Sequence, residues 1–217
     1  NMATMLCFMT TDATVDRDFL KASLSKAVDS SFNMIDVDGD QSTNDTVLLL
    51  ANGAAGGPLI TEESTSASLF QEALNYVSTA LAKELVRDGE GSQRLIEVVV
   101  DEAKTLSDAR QAAREISASS LVKAMVHGRD PNWGRIMMAL GKSGAEMEES
   151  KVDVFINDIH IVHEGVAIPY FKDAVISAMS VPNVGFRVNL NIGEASATAW
   201  GCDLTEEYVT FNSAYST

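Results

Sequence analysis

A threonine at position 4 stands at the edge of an apolar run in the opening segment Asn1-Met2-Ala3-Thr4-Met5-Leu6. A threonine hydroxyl is a poor nucleophile until a neighbouring base takes its proton. One well-attested solution makes the Thr the first residue of its chain, so that its own α-amine is that base. Three residues precede Thr4, so this chemistry needs the Ala3–Thr4 bond to be cut. Two other stretches carry polar groups in unusual settings. In DGEGSQ (88–93), Glu90 lies between two glycines directly after a helical pattern. The glycines let the backbone approach a ligand closely, although a carboxylate in such a turn is more often simply solvated. The C-terminal FNSAYST (211–217) carries Asn212 and Thr217. Chain ends commonly fray, but small hydroxyl residues following a regular element can also be tied into a pocket.

Other chemistries find little support. The three histidines, His127, His160 and His163, have no metal-like spacing, and no CxxC pair or His-rich tract points to zinc. DVDGDQSTND (36–45) has the density of acidic residues that a calcium loop uses. An EF-hand starting at Asp36, however, needs Gly where Gln41 stands and Glu where Val47 stands. Its Asp, Ser, Thr and Asn side chains instead suit a turn held by local hydrogen bonds. No GxSxG, Walker or dinucleotide glycine pattern occurs. With 31 acidic against 16 basic residues the net charge is -15, which disfavours general nucleic-acid binding. Cys7 and Cys202 sit in apolar surroundings and read as buried, reduced thiols of an intracellular protein rather than as a bridge. No stretch reads as a membrane span or a signal peptide, and the abrupt entry into an apolar strand reads as the middle of a longer protein.

The elements that must position these residues are legible from hydrophobic periodicity. TMLCFMT (4–10) is almost continuously apolar and suits a strand buried on both faces. Leu20, Leu24, Val28 and Phe32 have helical spacing, and TVLLLANG (46–53) is a second buried strand. A long amphipathic helix carries Leu74, Val77, Leu81 and Leu85 and ends at DGEG. RLIEVVV is a strand, and a helix starting near Ser107 carries Ala112, Ile116, Leu121 and Met125. Asp130-Pro131 in GRDPNWGR suits the start of a further helix. KVDVFIND and IHIVHEG read as a hairpin across Asn157-Asp158. YFKDAVISAM reads as a short helix, the alternation from Phe186 to Ile192 as a half-exposed antiparallel strand, and EEYVTFN as a last strand. This mixture implies a layered α/β protein of the α+β type with substantial antiparallel sheet.

In their order, NMATML, TTDA, DGDQSTNDTVLLLANG, DGEG, GRDPNWGR and NSAYST resemble the β chain of the ornithine acetyltransferase family, over essentially all 217 residues. The resemblance implies a sandwich of antiparallel sheets and helices with a self-processing, N-terminal-nucleophile-like fold. It implies a precursor that cuts itself between Ala3 and Thr4, so that residues 1–3 are the tail of an α portion and 4–217 the β chain. Thr4 would then carry an acetyl group from N-acetyl-L-ornithine to L-glutamate by a ping-pong reaction in the cyclic route of arginine biosynthesis. Thr4, Glu90, Asn212 and Thr217 would be substrate-binding residues. The resemblance further implies an α2β2 heterotetramer, no metal and no cofactor, with acetyl-CoA as an alternative donor. The compartment would be the cytoplasm, or the mitochondrion in a eukaryote. The α chain would supply the oxyanion hole, without which the β chain is not competent. A self-processing amidase with water as acceptor, a secondary-metabolite relative and a non-enzymatic domain with an internal threonine are the alternatives.

Overall fold

The structure, a computed structural model, describes residues 5–214. In chain order the elements are β1 (Leu6–Thr11), α1 (Arg17–Ser30), β2 (Ile35–Asp36), β3 (Thr46–Ala51), α2 (Ala67–Arg87), β4 (Leu95–Ala103), α3 (Leu106–Ala118), α4 (Ser120–Gly128) and α5 (Trp133–Lys142). They continue as β5 (Asp153–Ile156), β6 (Ile159–His163), β7 (Val166–Ala167), α6 (Lys172–Ala178), β8 (Asn183–Asn189), β9 (Ala195–Cys202) and α7 (Glu206–Ala214). Contacts divide the chain into two compact units. One holds the residues up to Asn33 with Asp38–Glu84, and the other holds Met34–Val37 with Leu85 onward.

In the first unit β1 and β3 form a parallel pair, in register from Leu6↔Thr46 to Thr11↔Ala51. Asp16 caps α1, its carboxylate accepting from the Asp18 and Phe19 amides at 3.0 Å each. β1 alternates. Cys7 and Met9 are buried, whereas Leu6 and Phe8 are 56% and 63% exposed, and β3 exposes Leu48 and Leu50 to 44% and 56%. The apolar run expected to be covered on both faces is therefore covered on one. The loop before β3 is tied by the local bonds expected of it: Asp38 Oδ1 accepts from Asp40 N at 3.0 Å and Ser42 Oγ from Asn44 N at 3.2 Å.

In the second unit seven strands lie in the order β2-β9-β4-β8-β5-β6-β7. The pairs β4/β9, β5/β8, β5/β6 and β6/β7 are antiparallel, while β2/β9 and β4/β8 are parallel. The expected class, mixed α/β with a largely antiparallel sheet, is borne out. Ile96, Val98 and Val100 of β4 and Phe186 and Val188 of β8 are buried, as are Ala109, Ala112, Ala113 and Ile116 of α3. α3 packs on β4 and β9, with α4 and α5 against it. Its small residues allow close approach, and so does Gly201, where a Cβ would lie 2.8 Å from Ser117 O. β2 is held at the sheet edge by a buried cation. Lys123 Nζ lies 2.8 Å from Asp36 Oδ2 and donates to Val37 O at 2.7 Å.

Several elements differ from the expectation drawn from periodicity. EEYVTFN is helical, not a strand: two glutamates occupy the first turn of α7 and Thr205 Oγ1 accepts from Tyr208 N at 3.4 Å. This helix-start chemistry outweighs the β-propensity of Tyr208, Val209, Thr210 and Phe211. The helix expected through Met125 is broken at Ser119, whose extended backbone lets its hydroxyl accept from Val122 N at 3.4 Å. α5 begins at Trp133 rather than at Asp130-Pro131, and Asp130 instead lies 3.9 Å from the Arg135 guanidinium. The hairpin across Asn157-Asp158 is present, with φ of 43° and 64° at those residues, as a two-residue turn of the favoured hand requires. Both cysteines are buried free thiols. Burial raises the Cys202 thiol, opposed by Lys123 and reinforced by Asp203 and Asp36, and burial raises Cys7. No helix of the described residues is long and apolar enough to cross a membrane.

Lys123 and Asp36 leave only 3% and 4% of their side chains exposed, so removing one partner strands a buried charge. Lys123→Ala is expected to cost about 3–5 kcal/mol in denaturant unfolding of the full protein. A cost below about 1 kcal/mol would show that the pair does not hold the β2 edge.

Candidate functional site

α2 ends at Arg87, and the DGEGSQ segment turns the chain into β4. Ser92 N donates to Gly89 O at 2.9 Å. Gly91 has φ +70°, and a Cβ there would lie 2.7 Å from Tyr208 N and 2.8 Å from Thr205 Oγ1. Both the left-handed backbone and the close approach of α7 therefore demand glycine. Thr205 Oγ1 donates to Gly91 O at 2.8 Å. The buried Asp203 closes the other side: its Oδ1 accepts from Gln93 N and Arg94 N, each at 2.8 Å. Its Oδ2 faces the Arg94 guanidinium and His127 Nδ1, each at 3.5 Å. These contacts fix the turn to the end of β9 and the start of α7.

With turn and helix so joined, Asn212 reaches Glu90. Its Nδ2 donates to Glu90 Oε2 at 2.6 Å and to Tyr208 O at 3.0 Å. Both amide hydrogens are thereby used within the protein. Glu90 Oε1 and Asn212 Oδ1 are what the exposed pair offers a ligand, and both are acceptors. An acceptor set with a carboxylate suits an ammonium group rather than another carboxylate. At the start of α7, Glu206 Oε2 lies 3.1 Å from His127 Nε2. Glu206's own main-chain N–H, and next the His127 ring, hold its carboxyl below the usual glutamate range.

The first unit contributes a second feature. Asp45, last residue of the DGDQSTND loop, accepts from Met5 N on Oδ1 at 2.7 Å and from Ser42 N on Oδ2 at 3.4 Å, and Thr46 N donates to Met5 O at 2.8 Å. The residue that follows Thr4 in sequence is thus held on both its amide and its carbonyl. Met5 and Asp45 border an open pocket of about 260 Å³ shared with Phe32 and Asn33.

Of the residues singled out in the sequence, Glu90 and Asn212 are brought together across 122 positions. Ala3, Thr4 and Thr217 lie outside the described residues. Sequence reasoning missed Asp203, Thr205 and Asp45, which anchor the turn, the helix and the start of β1. Thr205 had a readable signal in Thr-Glu-Glu at a helix start. Asp203 and Asp45 had none, because their partners are main-chain amides 110 and 40 positions away.

The fold superposes on a crystal structure of the arginine biosynthesis bifunctional protein ArgJ from Bacillus halodurans with a TM-score of 0.96 at 40% identity, over 98% of this chain and 100% of that one. The fold is accordingly N-terminal-nucleophile-hydrolase-like. The arginine biosynthesis bifunctional proteins ArgJ of Symbiobacterium thermophilum and Dehalococcoides mccartyi are 51% and 46% identical over 217 residues, 100% of this chain. The family model for the ArgJ family matches residues 1–217, and the chain belongs to that family. It spans 54% of the length of each of those two relatives.

Two outcomes test the turn–helix junction. Gly91→Ala should raise amide-exchange rates across 206–214 while leaving β4 and β9 protected; unchanged exchange in α7 would show that the junction tolerates a side chain. Because the folded-state pKa of Glu206 is lowered, its contribution is full above the ordinary glutamate range and is lost as pH falls through the lowered value. Protection factors in α7 should therefore fall on acidification, and this acid dependence should be weaker in Glu206→Gln.

Proposed function

We propose that the chain is the β portion of a glutamate N-acetyltransferase of arginine biosynthesis, which moves acetyl from N-acetyl-L-ornithine to L-glutamate. The observation that carries this reading is the Glu90–Asn212 hydrogen bond of 2.6 Å, an acceptor pair matched to the free ammonium group of N-acetylornithine. In the proposed scheme water cleaves the Ala3–Thr4 peptide, leaving Thr4 with a free α-amine. That amine takes the Oγ proton as Oγ attacks the acetyl carbonyl. The amide C–N bond breaks, the proton passes to the leaving α-amine, and ornithine departs from an acetyl-Thr4 ester. The α-amine of glutamate then attacks the ester, its proton returns to Oγ, and N-acetylglutamate leaves. Glu90 and Asn212 would hold the free side-chain ammonium of N-acetylornithine during the first half, with Thr217 as a further binding residue. Acetyl-CoA would be an alternative acetyl donor.

The remaining length of the relatives supplies the reading of the partner. An α portion of the same precursor would cover the exposed face of Leu6, Phe8, Leu48 and Leu50, which together are too apolar to favour water. It would also bring the oxyanion donors, which account for a large part of the rate in acyl transfer. The assembly would be an α2β2 heterotetramer in the cytoplasm.

Intact mass and peptide mapping of the full precursor product test the scheme. The expected result is a β chain starting at Thr4 that gains one acetyl group from N-acetylornithine and loses it to glutamate. An acetyl group lost equally fast without glutamate would mean a hydrolase, and absence of both cut and adduct would sink the nucleophile. Thr4→Ala should abolish cleavage and acetylation. Glu90→Gln should lower kcat/KM for N-acetylornithine about 10- to 100-fold, the worth of a hydrogen bond to a charged group.

A further inference from the structure

At the far edge of the seven-stranded sheet the pairing of β5 with β6 slips: Val154 faces Val162 but Phe155 faces His160. The extra residue is Ile161, a β-bulge. In a regular strand residues three apart point to opposite faces. The bulge breaks that alternation, so Ile161 and Val162 are both buried in the core while His160 and His163 come to one side. There they meet Asp153 of β5. His163 Nδ1 lies 2.9 Å and His160 Nε2 3.8 Å from Asp153 Oδ1, and the three atoms all lie within 4.8 Å of one another.

We propose that Asp153, His160 and His163 form a binding site for a divalent transition ion of the zinc type, with the remaining coordination positions open to water. Ligand atoms bound to zinc at about 2.0–2.2 Å stand about 3.3–3.5 Å apart in a tetrahedron, and the observed 2.9 and 3.8 Å bracket that spacing. Two imidazoles and one carboxylate are a ligand set that such ions favour over calcium or magnesium. His160 Nε2 is buried and has no hydrogen-bond partner, a costly state for an imidazole nitrogen that an ion would relieve. A hydrogen-bonded His–Asp pair alone accounts for His163 but leaves His160 Nε2 unexplained.

The supporting shell is built as well. Asp153 Oδ2 accepts from Asn191 Nδ2 at 3.2 Å, whose amide also donates to Lys151 O at 2.7 Å, and Glu164 N donates to Oδ1 at 2.9 Å. Partial burial works against ionisation of Asp153, but the bonds from Glu164, His163 and Asn191 win and lower its pKa. These bonds orient the carboxylate before any ion arrives. The His160 ring stacks on Phe155 with centroids 4.2 Å apart and planes at 15°. The Arg187 guanidinium lies 4.5 Å from the Phe155 centroid. This stacking sets the ring plane, which is the service that outer-shell groups give a metal ligand. On binding, the ion takes the place of the proton between His163 Nδ1 and Asp153, and the neutral ring then carries its proton on Nε2.

The test uses the full precursor product, stripped with a chelator and titrated with Co²⁺ and Zn²⁺ by absorption spectroscopy and calorimetry. The expected result is one extra Co²⁺ per β chain at micromolar free ion, with visible bands of imidazole-ligated cobalt, displaced by Zn²⁺. His160→Gln and His163→Gln should each weaken that binding at least about tenfold, and His127→Gln should not. His163 is 54% exposed in its side chain, so its variant is expected to fold, and an unchanged melting temperature without metal checks this. Absence of binding tighter than about 1 mM, or binding that persists unchanged in both histidine variants, would overturn the proposal.

Discussion

The candidate site in the second unit depends on one buried carboxylate. Asp203 is fully buried and spends Oδ1 on the consecutive amides of Gln93 and Arg94. Those two N–H groups open β4, directly after the turn that carries Glu90. Asp203 itself follows β9 and precedes Thr205, which starts α7 and bonds Gly91 O. One side chain therefore sets where a strand begins, where a turn closes and where a helix departs. The charge is tolerable in the interior because two amide donors, a guanidinium and an imidazole surround it. An uncharged isostere would keep one or two of these contacts and lose the electrostatic reason for the rest.

The two units manage polarity differently. The second buries its charges in pairs, as at Lys123 with Asp36, and covers one face of its sheet with α3. The first leaves four large apolar side chains of β1 and β3 open to solvent while holding the start of β1 by main-chain bonds to Met5. The apolar run of β1 reads as a strand covered on both sides, whereas Leu6 and Phe8 are exposed on one.

Much of the fold was legible in the sequence because the large elements obey simple periods. The rows of α1 and α2, the alternation of β4 and β8 and the turn at Asn157-Asp158 all follow from local rules. The errors fall where local signals conflict. Tyr208 to Phe211 have β-propensity but sit behind Thr205 and two glutamates, and capping won. The stretch from Leu106 to Gly128 has unbroken helical composition, but Ser119 caps a new helix and bends the path. No periodicity shows the slip at Ile161, because a bulge is a property of two strands and its cause lies in the partner.

By itself the sequence determined the chemistry of the pieces: a threonine beside an apolar strand, a glutamate between glycines, an asparagine near the C-terminus, and an order of motifs that names the family. Those are local facts, carried by residue type and spacing. Tertiary structure alone decided which pieces meet. It joined Glu90 to Asn212, hung the turn on Asp203, tied Asp45 to Met5 and turned His160 and His163 to the same side as Asp153. Each of these bonds closes a loop, from 7 to 122 residues long in the sequence numbering. Such a bond forms only when packing elsewhere has already met the chain-closure cost, so no local pattern can announce it.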